Sequence, residues 1–169
     1  LAAAAASCSR EADVRPEAGP GYQLAAEVTQ YTPTEQDAVQ AFQAVLMAFG
    51  RTAVSAELGT DIAHEQHVAM EHSAGPEEIV AVMVFTDYPS STFSGDTEIF
   101  LNGTVKESTQ IESGRESVVM QVYCGSPAIK GTLFLDASFS DDPSGRPIVD
   151  RFEVNGIDFS NMAKTMLSF

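Results

Sequence analysis

Three histidines, His64, His67 and His72, fall within nine positions and are the only ones in the chain, with Glu65 and Glu71 among them. If residues 61–71 are helical, His64, His67 and Glu71 stand three and four apart on one face. Two imidazoles and one carboxylate so placed form a donor set for a divalent metal, and they point to a small metal-dependent hydrolase. Read with period two, the same stretch puts Ile62, His64, Gln66, Val68, Met70 and His72 on one strand face and turns His67 and Glu71 to the other. Sequence leaves the two readings open. His67 follows His64 by three positions, so the run is not the His-Glu-x-x-His of metallopeptidases.

Other chemistry is weaker. Asp141-Asp142-Pro143-Ser144-Gly145, near Asp136 and Asp150, offers hard oxygen ligands, but Pro143 breaks the alternating pattern of an EF-hand loop and no glutamate closes it. A solvated turn explains that loop. Ser90, Ser91 and Ser94 accompany Thr92 and Asp87, yet no serine lies in Gly-x-Ser-x-Gly. Glu98, Glu107, Glu112 and Glu116 are spaced carboxylates of the kind glycosidases use, and such pairs arise by chance in an acidic chain. Phosphate-binding and dinucleotide-binding glycine loops are absent. The sequence nominates no catalytic residue and no cofactor.

Twenty-four acidic residues against nine basic ones give the 169-residue chain a formal charge of -15. That field repels phosphate backbones and excludes a nucleic-acid reader. The partner it admits is a protein or a small neutral or cationic ligand. The apolar fraction of 44% suits one folded domain. No run of about eighteen apolar residues is present to form a spanning helix.

The start, Leu1-Ala2-Ala3-Ala4-Ala5-Ala6-Ser7-Cys8, reads as the end of a signal peptide. Ala5-Ala6-Ser7-Cys8 resembles a bacterial lipobox, although Ala5 stands where a branched aliphatic residue is usual. The resemblance implies lipid attachment at Cys8 and export to the cell envelope or periplasm, so that a membrane is met only through the anchor. The competing use of Cys8 is a disulfide to Cys124, the only other cysteine. Within the alternating run Val118–Tyr123 and its neighbour, Cys124 itself reads as a small buried hydrophobe. Ser9 to Gly21, with Pro16, Gly19 and Pro20 and no apolar period, reads as a tether. Residues 1–21 are thus signal-peptide remnant and tether, and residues 22–169 a single globular domain.

Thr32-Pro33-Thr34-Glu35 has the form of a capping box with proline at the first helical position. Ala38, Phe42, Val45, Leu46 and Phe49 follow at helical spacing, which predicts an amphipathic helix of about sixteen residues stopped by Gly50. From Ile79 onward the period becomes two. Strands are expected over Ile79–Tyr88, Thr97–Lys106, Ser117–Cys124, Ile129–Ser140 and Ile148–Phe159. Asn102-Gly103 and Asn155-Gly156 each predict a two-residue hairpin, with Leu101 facing Thr104 and Val154 facing Ile157. A short helix from Met162, capped by Asp158 or Ser160, ends the chain.

The fold class is therefore α+β, an antiparallel meander of roughly five to seven strands packed against one N-terminal helix, with closure into a barrel left open. The layout resembles that of small bacterial lipoproteins. It implies a non-enzymatic envelope protein with a binding or structural role; the alternatives are the His64, His67, Glu71 hydrolase and a subunit that completes its sheet against another protein.

Overall fold

A computed structural model of the chain describes residues 31–58, 65–95, 98–126 and 131–167. The first helix, α1, spans Glu35–Leu58. Its cap is Thr34, two residues later than the expected box. The Thr34 carbonyl accepts from Ala38 N at 3.1 Å, its hydroxyl donates to Asp37 Oδ2 at 2.6 Å, and Asp37 Oδ2 also accepts the Thr34 amide at 2.8 Å. Asp37 wins over Glu35 because Tyr31 adds a third donor, its hydroxyl reaching Asp37 Oδ2 at 2.8 Å. Pro33 consequently precedes the cap.

Gly50 does not stop α1, which continues through Thr52 and Ala53 to Leu58. A mid-helix glycine costs about 1 kcal/mol. The buried stripe of Ala41, Val45, Ala48 and Thr52 runs across that position and keeps the helix against the sheet.

Seven strands follow in the order β1 (Val68–Ala74), β2 (Glu78–Ser91), β3 (Glu98–Gln110), β4 (Glu116–Gly125), β5 (Leu133–Asp141), β6 (Pro147–Val154) and β7 (Ile157–Asp158). They form one antiparallel meander in sequence order, with no pairing between β1 and β7 to close a barrel. Alternation places Met83, Phe85, Leu101, Val122, Leu135 and Phe152 on one face, where all are buried. Helix α1 docks there. Phe42 stacks on Phe139 with centroids 5.6 Å apart and meets Phe152 edge-on at 4.9 Å, while Ser90 Oγ donates to Ala44 O at 2.7 Å.

The opposite face carries cross-strand rows such as Val84, Thr104, Gln121 and Asp136, all half-buried or exposed. Among the described residues one ion pair crosses it, Arg151 to Asp136 at 2.6 Å. Helix α2 (Ser160–Leu167) returns against β6 and adds Ala163 to the core. Its start is held by Asp158, whose carboxylate accepts the Ser160 amide at 2.8 Å. The Ser160 hydroxyl, which also bonds the Asp158 carboxylate, accepts the Phe152 amide.

The two Asn-Gly dipeptides diverge. Asn155 and Gly156 take φ of 51° and 76°, and Val154 pairs with Ile157 as expected of a tight hairpin. Asn102-Gly103 makes no turn. Both residues lie within β3, where Leu101 faces Tyr88 and Cys124, and Thr104 faces Val84 and Gln121. The reason lies in the neighbours: β2 and β4 flank β3 on both sides of the dipeptide, and the inward alternation of Ile99, Leu101 and Val105 runs through it unbroken. A reversal at Asn102 would strip those ladders.

Candidate functional site

Of the three residues nominated as metal ligands, His64 lies outside the described residues, as does Cys8. The other two do not share a helix. Glu65–His67 is a single 3-10 turn and Glu71 sits on strand β1. From Val68 onward the segment is strand, because Val68 and Met70 pack on the core when β1 pairs with β2, which a helix there would forgo. His67 is half-buried, its Nδ1 3.0 Å from Thr86 O. A carbonyl only accepts, so Nδ1 carries the proton and Nε2, 3.1 Å from Gln66 Nε2, is the accepting nitrogen. Glu71 and His72 are exposed. Among the described residues, no three His, Cys, Asp or Glu side chains gather in a way that could hold a metal.

Next to His67 the second strand buckles. β2 slips register between Phe85 and Tyr88, and Asp87 takes a φ of 46°. Asn102 braces this bulge from β3: its Oδ1 accepts the Asp87 amide at 2.8 Å, and its Nδ2 donates to Asp87 Oδ1 at 2.8 Å. Gly103 has a φ of 143° and lies so close to β4 that a side chain there would overlap the Gln121 carbonyl. The bulge, its brace and the His67 contact form one small polar corner at the start of β1.

The remaining nominees serve the main chain or face solvent. Asp142 accepts from the Ser144 hydroxyl at 2.6 Å, the Ser144 amide at 2.7 Å and the Arg146 amide at 3.0 Å. The Ser144 hydroxyl, then the loop amides, hold its pKa below the ordinary carboxylate value. The acidic loop is a turn that supplies its own donors. Glu98 and Glu112 are exposed, whereas Glu107 is half-buried with Glu116 nearby; burial first, and the Glu116 charge second, raise the Glu107 pKa. Ser90 is buried on Ala44, and Ser94 Oγ lies 3.0 Å from Thr92 Oγ1. Cys124 is fully buried in β4, and burial pushes its thiol up to about 12. Such a thiol is no nucleophile in the folded state.

What the architecture leaves exposed is an edge. Among the described residues β1 pairs with β2 alone, through seven consecutive register pairs from Val68↔Phe85 to Ala74↔Ile79, without a bulge. Ala69 and every residue from Glu71 to Ala74 are exposed. In an antiparallel pair every second residue directs its N–H and C=O away from the partner strand, so β1 presents a row of main-chain donors and acceptors. The far end of the sheet differs: β7 has two residues, and α2 follows at once. An edge like β1 performs no bond chemistry. It can receive an extended peptide.

No family model, no curated protein and no solved structure matches the chain.

Proposed function

We propose that the chain is a non-enzymatic protein of the bacterial envelope, attached by lipid at Cys8 and holding a helix-and-sheet body out on a tether to bind a partner. One observation carries the non-enzymatic part. Two of the buried polar side chains among the described residues are spent on the main chain, Ser90 on the Ala44 carbonyl and Asn102 on the Asp87 amide, and the buried Thr52 hydroxyl has no hydrogen-bonded acid or base beside it to form a site. Catalytic groups must instead converge on a shared point with accessible atoms. Cys124, with its thiol buried, fits the same reading.

The test is the intact mass of the chain expressed from a full-length gene in a bacterial host that processes lipoproteins. The expected mass lacks everything before Cys8 and carries added acyl chains, and Cys8→Ser abolishes both changes. An unmodified Cys8, or a Cys8–Cys124 disulfide, removes the anchor from the proposal. Hydrolysis of ester, amide or glycoside substrates that survives purification and tracks the protein would remove the non-enzymatic part.

A further inference from the structure

We infer that the β1 edge takes up an extended, lysine- or arginine-bearing segment of a partner protein as an eighth strand. The inference rests on the binding role proposed above and names its partner class.

Geometry supplies the first half. Proteins blunt their sheet edges with lysine, proline, bulges or very short strands. β1 has none of these: it is seven residues long, keeps unbroken register with β2, and contains no Lys or Pro. Its outer side pairs with no described residue. At the opposite end, β7 pairs only with Glu153 and Val154 of β6. The rest of that edge starts at Pro147 and belongs to a strand that α2 contacts, so β1 is the longer proline-free edge among the described residues.

Charge supplies the occupant. No Lys or Arg occurs between Arg51 and Lys106, while Glu71, Glu77 and Glu78 lie on β1, in the turn after it and at the start of β2. Glu71 is central in β1, and Glu77 and Glu78 stand exposed at the β1–β2 turn. A strand laid beside β1 would bring its own side chains opposite Glu71, where opposite charge stabilises and like charge repels. The same argument disfavours a second copy of this chain. Antiparallel self-pairing centred on β1 sets Glu71 against Glu71, between two molecules that each carry a formal charge of -15.

The test uses the full chain made without lipid, so that it is independent of Cys8, and three synthetic octapeptides: alternating Lys and Val, alternating Glu and Val, and the Lys–Val peptide with a central proline. Amide exchange and chemical shifts report the site. The expected result is fast exchange of the outward β1 amides in the free chain, and their protection by the Lys–Val peptide. Neither the acidic nor the proline-broken peptide should protect them. Glu71→Lys, an exposed substitution that leaves the core alone, should weaken the Lys–Val peptide about tenfold or more.

Equal binding of the proline-broken peptide would overturn the inference, because charge without main-chain pairing would then suffice. So would protection elsewhere on the body, β1 amides already protected in the free chain, or concentration-dependent self-association through β1. A lipid-free Cys8 together with β1 protection by the basic peptide would sink the anchor and leave this inference standing.

Discussion

The same dipeptide, Asn-Gly, occurs at two places in this sheet and does different work at each. At Asn155-Gly156 both residues adopt positive φ and the chain reverses. At Asn102-Gly103 only the glycine does, and the strand goes straight on. The asparagines nevertheless behave alike. Asn155 Oδ1 accepts the Phe134 amide at 2.7 Å, as Asn102 Oδ1 accepts that of Asp87, so each stitches its strand to a neighbour's main chain. The difference lies with the glycine. Gly156 sits in open space and is needed only for its torsion, whereas Gly103 is needed for its torsion and for the missing side chain. A local signal for positive φ therefore says that the backbone is unusual there, and the length of the flanking strands decides whether it turns.

The largest effect that would sharpen this contrast is that of Gly103→Ala. Its Cβ would overlap Gln121 O and stand 2.8 Å from Val122 Cα, so about 3 kcal/mol or more of stability should be lost in urea denaturation. Asn102→Ala comes next, since it leaves the Asp87 amide of the bulge without its acceptor; about 2 kcal/mol is expected, with faster exchange of that amide. Gly156→Ala should cost only about 1 kcal/mol, because the torsion is strained but nothing is struck. Equal losses for Gly103→Ala and Gly156→Ala would break the comparison.

The smallest effect is a pH slope. Asn155 Nδ2 donates to Tyr31 O at 3.1 Å, and the Tyr31 hydroxyl donates to Asp37, so the turn is tied to the α1 cap. Burial works to raise the Asp37 pKa, but hydrogen bonds from Thr34 and Tyr31 prevail and lower it. A depressed carboxylate stabilises the fold above its ordinary pKa, and that contribution fades as pH falls through the lowered one. Asp37→Asn should flatten this acid limb in a series of melting curves, and Asn102→Ala should leave it unchanged.

Much of the fold was legible because its signal is local. Inward residues such as Leu133, Leu135 and Ala137 alternate along β5 in the chain itself, and Asn155-Gly156 is followed by too little strand to continue. Where the reading failed, the deciding contact was remote. Gly50 is overridden by burial of the α1 stripe that runs through Val45, Ala48 and Thr52, and Tyr31 moves the cap to Thr34. The histidine segment looked ambiguous because 3.6 and 2 both fit it, and only pairing with β2 selects strand for Val68–Ala74. The lack of Lys and Pro in Val68–Ala74 is visible in the sequence, but that this segment forms an edge is not. Being outermost is a property of strand order, and no residue in β1 announces it.

Burial of Cys124 has a consequence for the way the molecule folds. Oxidants and disulfides attack the thiolate, which the closed core suppresses, so the finished protein keeps this sulfur in its reduced form. An unfolded chain has no such shelter. Its one protection is speed: β4 and its neighbours must zip together before the sulfur meets a reagent, which makes maturation a race with a chemical deadline.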